Sequence, residues 1–180
     1  KVNAPIDIVK EGPTTAVIDG NNGLGHAIAH KAMSMAIEKA KKYGTGMVGV
    51  RNSNHYGIAG YYTSMAAEAG MIGFSTTNAR PSVSPTNGVE NMFGTNPYAW
   101  GMPTDEPFEF SFDAASSTVQ RGKVEVYART NKEMPDGWVL DQEGKSIKDA
   151  NQALEDFLLG KAALTPLGGS SEDNGSHKGY

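Results

Sequence analysis

The chain has 180 residues, which is enough for one domain with a hydrophobic core of its own. Its 16 Lys and Arg are outnumbered by 20 Asp and Glu, the formal net charge is −4, and this balance argues against a nucleic-acid or anionic-membrane partner. The absence of cysteine excludes disulfides, thiolate metal sites and cysteine nucleophiles, and it fits a reducing compartment such as the cytoplasm. No run of about 20 apolar residues is present, so we expect no membrane-spanning helix.

The first part of the chain alternates strand patterns with helical patterns. Residues 14–19 (TTAVID) are predicted to form a strand, residues 21–25 a turn, and residues 26–43 a helix that ends at Gly44. Residues 47–51 (MVGVR) are predicted to form the next strand, because they are a short apolar run bounded by turn signals.

A second helical pattern covers residues 58–69, with Gly70 as the residue after its end, and residues 71–77 (MIGFSTT) follow as a strand. The strand 47–51, this helix and the strand 71–77 have the length of a βαβ unit. We therefore expect the two strands to pair in parallel through a right-handed crossover.

The second part of the chain is richer in Gly, Pro and Asn. Its predicted elements are a long ordered loop region with short strands (78–107), a strand (108–113), a helix (116–131), turns at Asp136-Gly137 and Glu143-Gly144, a helix with Asp149 near its N-terminus (149–160), and a final Gly-rich loop. The predicted fold class is α/β.

The segment GNNGLG, residues 20–25, lies between a strand and a helix, where helix N–H groups can bind phosphate. Its spacing is G-x-x-G-x-G instead of the dinucleotide fingerprint G-x-G-x-x-G, and no Lys follows as in a P-loop. The segment favours a tight turn with positive φ at its glycines, and a phosphate site is the alternative.

His55 is a candidate for chemistry because it follows the predicted strand 47–51 and precedes a helix. Ligands of open α/β sheets bind just outside the carboxyl ends of strands. A helix N-terminus also disfavours imidazolium, which would keep the ring ready to accept a proton, and the polar neighbours 52–54 and Tyr56 can orient it. The alternative is a histidine that only caps a loop.

Two further segments suit a cofactor. Asp113 ends a predicted strand before the small residues Ala114 and Ala115, where accessible N–H groups and a carboxylate suit a phosphate or ribose; the alternative is an ordinary N-cap aspartate. Lys178, beside His177 in the Gly-rich loop, can bind a phosphate or carboxylate as a point charge, or it is a solvated lysine.

Two other chemistries are disfavoured. His26 and His30 have a spacing that metal ligands use, but the HExxH pattern and a third ligand are absent, so we expect no metal. No G-x-S-x-G elbow is present, which argues against a Ser-His-Asp hydrolase of that type.

A set of motifs then occurs in order: SNHYGIAGYY (53–62), GTNP (94–97), FDAASSTVQRGKVE (112–125), PDGW (135–138), and PLGG with HKGY (166–169 and 177–180). Together they resemble the malate/L-lactate dehydrogenase family of NAD(P)-dependent 2-hydroxyacid oxidoreductases, and nearly the whole chain is covered. This family is separate from the Rossmann-type lactate dehydrogenases, which agrees with the missing G-x-G-x-x-G.

The resemblance implies a non-Rossmann, mixed-sheet α/β fold and a homodimer with active sites near the subunit interface. It implies NAD or NADP as cofactor and a small 2-hydroxy or 2-keto acid as substrate, with malate/oxaloacetate expected first. The alternatives are lactate, ureidoglycolate, sulfolactate, a ketoimine or diketogulonate as substrate, or a catalytically silent nucleotide-binding relative.

The resemblance also assigns roles. His55 becomes the proton acceptor in alcohol oxidation and the proton donor in reduction. The cofactor positions of the family fall on Thr77, Asn78, Ala79, Asp113, Ala114, Ala115, His177 and Lys178.

The chain departs from the family at both ends. The family's N-terminal helical segment, with a Ser-His-Gly motif and an arginine for the substrate carboxylate, is absent, and no residue follows Tyr180. We therefore expect residues 1–180 to be a fragment of one catalytic and cofactor-binding unit, with the cofactor-binding core at about 45–180.

Overall fold

A computed structural model of the chain describes residues 3–170. The chain divides into two compact units, each made from two separate stretches of sequence. Unit 1 comprises Lys1–Thr76 and Ala99–Asp113, and unit 2 comprises Thr77–Tyr98 and Ala114–Tyr180. No helix within residues 3–170 is both long enough and apolar enough to cross a membrane.

Unit 1 contains a three-stranded mixed sheet. Its strands are β1 (Asp7–Glu11), β2 (Thr15–Asp19) and β3 (Met47–Arg51), in that spatial order. β1 pairs antiparallel with β2, whereas β2 pairs in parallel with β3. The mixed-sheet α/β class expected from the sequence is therefore confirmed. β1 was not predicted, because all five of its residues are exposed and no buried alternation marks it.

The helix α1 (Gly25–Tyr43) connects β2 to β3 and covers one face of this sheet. Its buried residues Ile28 and Ala32 pack with Ile18 of β2, which is completely buried. Gly44 ends the helix with a φ of 84°, a conformation that glycine adopts without steric cost. The predicted helix and its glycine stop are confirmed.

The parallel pair predicted for residues 47–51 and 71–77 is wrong. The second strand of that pair is β4 (Gly73–Thr76), which lies in a separate three-stranded sheet with β5 (Tyr98–Met102) and β6 (Phe110–Ala114), in the order β4-β5-β6. The parallel βαβ unit of the chain is instead β2-α1-β3.

The helix α2 (Gly60–Glu68) packs closely on this second sheet. A Cβ atom built on Gly73 of β4 would lie 2.8 Å from the carbonyl oxygen of Thr63, and one built on Gly101 of β5 would lie 2.7 Å from the same oxygen. Two glycines therefore let the backbone of α2 lie directly on β4 and β5. Hydrophobic periodicity predicts that a strand exists but not which strand it pairs with.

Unit 2 has the larger apolar core. The helices α3 (Arg121–Arg129) and α4 (Ala150–Leu159) pack on each other, and the short strands β7 (Val139–Leu140) and β8 (Ala163–Leu164) pair antiparallel. The buried members of this core are Val83, Val119, Val124, Met134, Val139, Ile147, Ala150, Ala153, Ala162 and Leu164.

One predicted helix of unit 2 begins at the wrong residue. α3 starts at Arg121 and not at residue 116, because the backbone N–H groups of Ser116 and Thr118 donate to the carbonyl oxygens of Thr95 and Thr165 at 2.8 and 2.9 Å. These long-range bonds hold the preceding segment in a non-helical conformation. In contrast, α4 begins as predicted.

The start of α4 has the cap that the sequence indicates. The Oδ1 atom of Asp149 accepts hydrogen bonds from the backbone N–H groups of Asn151 and Gln152 at 2.8 and 3.3 Å. An N-cap carboxylate of this kind satisfies backbone donors that have no partner inside the helix.

Candidate active site

The site begins where two neighbouring parallel strands end. Asp19 of β2 and Arg51 of β3 are paired in register, and each is the last residue of its strand. The chain leaves β2 through the loop 20–24 and leaves β3 through the loop 52–59. The structure thus confirms that His55 lies just beyond the carboxyl end of a strand, the position where open α/β sheets bind ligands.

The predicted positive φ at the glycines of GNNGLG is wrong. The residues with positive φ are Asn21 and Asn22, at 48° and 56°. Asparagine tolerates this region because its short polar side chain can bond locally. Gly25 serves close approach instead, since a Cβ atom there would lie 2.4 Å from the carbonyl oxygen of His55. The backbone of the His55 loop therefore packs against the loop 20–24 and the start of α1.

The ring of His55 is oriented by a backbone group. Its Nδ1 atom accepts a hydrogen bond from the N–H of Gly57 at 3.1 Å, and Gly57 has a φ of 82°. The predicted orientation by polar side-chain neighbours is wrong for the two asparagines: Asn52 donates its side-chain amide to Asp19, and Asn54 donates to the carbonyl oxygen of Gly23. The side-chain amides of Asn52 and Asn54 fix the loop 52–59, and the N–H of Gly57 in that loop orients the His55 ring.

The Gly57 contact selects a tautomer of His55. A ring nitrogen that accepts an N–H bond is unprotonated, so the neutral ring carries its proton on Nε2. The side chain is exposed, so this N–H can donate to a ligand oxygen such as that of a keto group. For Nε2 to act as a base the proton must move to Nδ1, and the Gly57 contact must then open.

Asp113 caps a helix, but not the one that follows it. Its Oδ2 atom accepts a hydrogen bond from the N–H of Gly60, the first residue of α2, at 2.7 Å. Ala59, at the N-cap position, offers no side-chain hydrogen bond. A Cβ atom on Gly60 would lie 3.1 Å from that same oxygen. Asp113 and the His55 loop therefore meet at the N-terminus of α2.

Tyr62 of α2 contacts Tyr56 in the loop 52–59. The rings of Tyr56 and Tyr62 stack with centroids 5.2 Å apart, and the Tyr62 hydroxyl donates to the carbonyl oxygen of Tyr56 at 2.5 Å. Burial raises the pKa of Tyr56, and the nearby charge of Asp113 raises it further. The Tyr56 phenol is therefore protonated at neutral pH.

The segment Thr77–Ala79, predicted to bind the cofactor, lies in unit 2 against the GTNP motif, residues 94–97. The N–H of Ala79 donates to Oδ1 of Asn96 at 2.9 Å, and the N–H of Thr77 donates to the carbonyl oxygen of Pro97 at 3.3 Å. Gly94 allows this approach, since its Cβ atom would lie 2.3 Å from the carbonyl oxygen of Ala79. Asn78 is exposed.

The same GTNP loop contacts the segment after Ala114 and Ala115. The carbonyl oxygen of Thr95 accepts hydrogen bonds from the N–H and the hydroxyl of Ser116 at 2.8 and 3.1 Å. The loop thus brings two of the predicted cofactor segments together in unit 2. Sequence reasoning assigned no role to Thr95 or Asn96, although their motif was one of those that carried the family resemblance.

The predicted residues in the described part of the chain belong to both units. His55 and Asp113 belong to unit 1, whereas Thr77, Asn78, Ala79, Ala114 and Ala115 belong to unit 2. His177 and Lys178 lie outside the described residues. Within residues 3–170, no group of three His, Asp or Glu side chains is arranged to hold a metal ion.

A family model described as malate/L-lactate dehydrogenase matches residues 1–180. Malate dehydrogenase of Pyrococcus abyssi is 51% identical over 175 residues, which are 97% of this chain and 47% of the relative. L-sulfolactate dehydrogenase of Methanocaldococcus jannaschii is 44% identical over 164 residues, 91% of this chain and 46% of the relative.

Among solved structures, the crystal structure of malate dehydrogenase from Entamoeba histolytica superposes with a TM-score of 0.94 at 52% identity, and it covers 99% of this chain and 50% of that chain. The structure of malate dehydrogenase from Pyrococcus horikoshii has a TM-score of 0.79 at 46% identity, and the match covers 99% of this chain and 47% of that chain. The chain spans about half the length of the relatives it matches.

Proposed function

Because the chain belongs to the malate/L-lactate dehydrogenase family, we propose that the full-length protein is an NAD(P)-dependent oxidoreductase acting on a small 2-hydroxy or 2-keto acid. One observation carries the proposal: an exposed histidine in the SNHYG motif, seated beyond the end of β3 and oriented by the Gly57 N–H. An accessible imidazole held in this way suits the proton transfer that accompanies hydride transfer.

In the proposed reaction His55 handles the proton. In reduction its Nε2–H donates to the developing alkoxide. In oxidation the same nitrogen accepts the hydroxyl proton after its own proton has moved to Nδ1 and the Gly57 contact has opened. When bound, a nicotinamide cofactor would supply or accept the hydride. General acid–base help of this type typically contributes about 10²- to 10⁴-fold in rate.

The cofactor is assigned to Thr77, Asn78 and Ala79, to Asp113, Ala114 and Ala115, and to His177 and Lys178. The described segments are compatible with a dinucleotide in one respect: the residues at 114–115 are small, and the residues at 77–79 are exposed or half-buried. We assign the cofactor as NAD or NADP.

For the substrate we propose malate/oxaloacetate. The support is that the relatives at 51% identity are named malate dehydrogenase, whereas those at 41–44% are named for sulfolactate, alone or together with malate. A single polar substitution in a substrate pocket can redirect specificity, so lactate and the other 2-hydroxy acids are the competitors.

We also propose that the full-length protein is a cytoplasmic homodimer, as the family resemblance implies. Light scattering of the purified full-length protein tests the dimer. A mass of two chains supports it, and a mass of one chain that does not change with concentration contradicts it.

The test of the function is an initial-rate assay of the full-length protein with NADH and NADPH, each paired with oxaloacetate and with pyruvate. We expect oxaloacetate to be the better substrate, and the preferred nucleotide is identified in the same experiment. If the protein turns over no 2-keto acid but NADH quenches the fluorescence of Trp100 or Trp138, the protein is a nucleotide-binding relative and the proposal fails.

A further inference from the structure

Asp19 is a buried carboxylate to which the proposed reaction assigns no role. It is 9% exposed and is the last residue of β2, beside Arg51 at the end of β3. An ionised carboxylate is costly to bury unless hydrogen bonds and a positive partner compensate. The surroundings of Asp19 supply both.

Three donors converge on this carboxylate. Oδ1 accepts the backbone N–H of Asn21 at 2.9 Å, while Oδ2 accepts Nε of Arg51 at 2.8 Å and Nδ2 of Asn52 at 2.9 Å. The bond from the Asn21 N–H, followed by those from Arg51 and Asn52, lowers the pKa of Asp19, so it is charged at neutral pH. One side chain thus ties the start of the loop 20–24 to the start of the loop that carries His55.

The bonds from Asp19 and those that follow form a junction between the loops 20–24 and 52–59. Two further hydrogen bonds extend this junction toward His55. The N–H of Asn22 donates to the carbonyl oxygen of Asn52 at 2.8 Å, and the side-chain amide of Asn54 donates to the carbonyl oxygen of Gly23 at 2.9 Å. Asn22 and Asn52 both have positive φ, at 56° and 51°. Such backbone conformations are unfavourable for non-glycine residues and persist only where surrounding contacts hold them.

The last contact of the junction is with His55 itself. The absent side chain of Gly25 lets the start of α1 approach the carbonyl oxygens of Asn54 and His55, which would lie 2.2 and 2.4 Å from a Cβ atom there. The position of the His55 backbone therefore depends on the start of α1, which directly follows the loop 20–24. That loop is tied to the end of β3 by Asp19.

We propose that Asp19 is a positioning residue for proton transfer at His55. The inference rests on the proposed function, because it gives Asp19 a role only through the proton that His55 transfers. A misplacement of about 1 Å in a reacting group can cost about 10²-fold in rate, so a junction that sets the position of the His55 loop bears directly on turnover.

The test uses the variant Asp19→Asn in the full-length protein. Asparagine keeps the shape and one carbonyl acceptor, but its amide group cannot accept the donors that now converge on the second oxygen. Asp141→Asn is the matched control: Asp141 directly follows β7 and its Oδ1 accepts two backbone N–H groups, of Glu143 and Lys145, at 3.0 and 2.8 Å. Asp141 belongs to none of the segments assigned to the site.

We expect Asp19→Asn to lower kcat for keto-acid reduction by about tenfold or more, with the NADH dissociation constant within about twofold of the original. Asp141→Asn keeps kcat. A folded Asp19→Asn protein, judged by circular dichroism, with kcat unchanged would overturn the inference.

A double-mutant cycle separates positioning from a general structural effect. If Asp19 acts through His55, Asp19→Asn lowers the residual activity of His55→Ala no further. An equal fold-loss in both backgrounds means that Asp19 acts independently of His55, which overturns this inference and leaves the proposed function standing. A His55→Ala protein with normal turnover contradicts the proposed role of His55, and the inference falls with it.

If Asp19→Asn does not fold, Asn52→Gly replaces it in the same cycle. Glycine accepts the positive φ at this position and removes only one of the three donors to Asp19. We expect a loss of kcat when His55 is present, and no further loss in the His55→Ala background. Normal turnover of Asn52→Gly contradicts the inference.

Discussion

The Oδ2 atom of Asp113 accepts a hydrogen bond from the backbone N–H of Gly60 at 2.7 Å, across 53 residues of sequence. This bond joins two of the motifs that carry the family resemblance, FDAAS and SNHYGIAGYY. It places a carboxylate at the N-terminus of α2, where the helix dipole favours negative charge and the Gly60 N–H has no acceptor within the helix. Asp113 thus has a structural role besides its proposed role at the cofactor.

Asp113→Ala should reduce both stability and cofactor affinity. Loss of a helix cap costs about 0.5–2 kcal/mol, because the Gly60 N–H loses its acceptor. Urea denaturation measures the free energy of unfolding, and fluorescence titration measures the NADH dissociation constant.

Asp149→Ala is the control for Asp113→Ala, since the Asp149 carboxylate also accepts backbone N–H groups at a helix N-terminus, that of α4, and has no proposed cofactor role. It should lose a similar free energy of unfolding and keep its NADH affinity. If Asp113→Ala also keeps its NADH affinity, Asp113 is a helix cap only and its cofactor assignment is wrong.

Gly25→Ala should displace the His55 loop. The added Cβ atom would lie within 2.4 Å of two carbonyl oxygens in that loop, well inside any tolerated contact, so the loop or α1 must move. We expect a clear drop in melting temperature and a fall in kcat, measured by thermal denaturation and initial rates.

Gly122→Ala is the matched substitution, since a Cβ atom there meets nothing within 4 Å. Gly122 lies in α3, where alanine is favoured over glycine by up to about 1 kcal/mol. This variant should be as stable as the original or more stable, with kcat unchanged. Equal behaviour of the two variants would mean that Gly25 does not seat the His55 loop.

Asn96→Gly tests the GTNP loop. The substitution keeps access to the positive φ of 27° at this position but removes the Oδ1 acceptor of the Ala79 N–H. We expect weaker NADH binding with a smaller change in kcat, because the segment is assigned to the cofactor and not to the proton. Asn131→Gly, at another positive φ (51°) outside the proposed site, should leave NADH binding unchanged.

Acid should weaken the fold in part through Asp19. Its pKa is lowered in the folded state, so its contribution to stability is fully present above the ordinary value of 3.8 and is lost as the pH falls through the lowered folded-state value. As the pH falls below about 5, the free energy of unfolding of Asp19→Asn should fall less steeply than that of the original protein, because the variant has no carboxylate to protonate at this position. The same pH dependence of the free energy of unfolding in both proteins would contradict this contribution of Asp19.

Local patterns predicted the elements near the site well. The strand 47–51, the helix that Gly44 ends and the cap by Asp149 were all predicted, because apolar spacing, a glycine stop and an N-cap residue are local signals. The position of His55 beyond a strand follows from the same reasoning.

Partners distant in sequence were not predictable. No local sequence pattern indicates that Asp113 caps α2 or that Asn96 accepts the Ala79 N–H. Nor does any indicate that β4 and β3 belong to different sheets. Gly25 was misread for the same reason: like Gly73 and Gly101, to which no role was assigned, it allows a close approach by residues far along the chain.

We propose that His55 transfers the proton in a nicotinamide-dependent reaction. The most direct measurement is kcat for oxaloacetate reduction by full-length His55→Ala, with the NADH dissociation constant measured on the same preparation. We expect a loss of about 10²- to 10⁴-fold in kcat with nearly unchanged NADH affinity. A kcat within a few-fold of the original protein would contradict it.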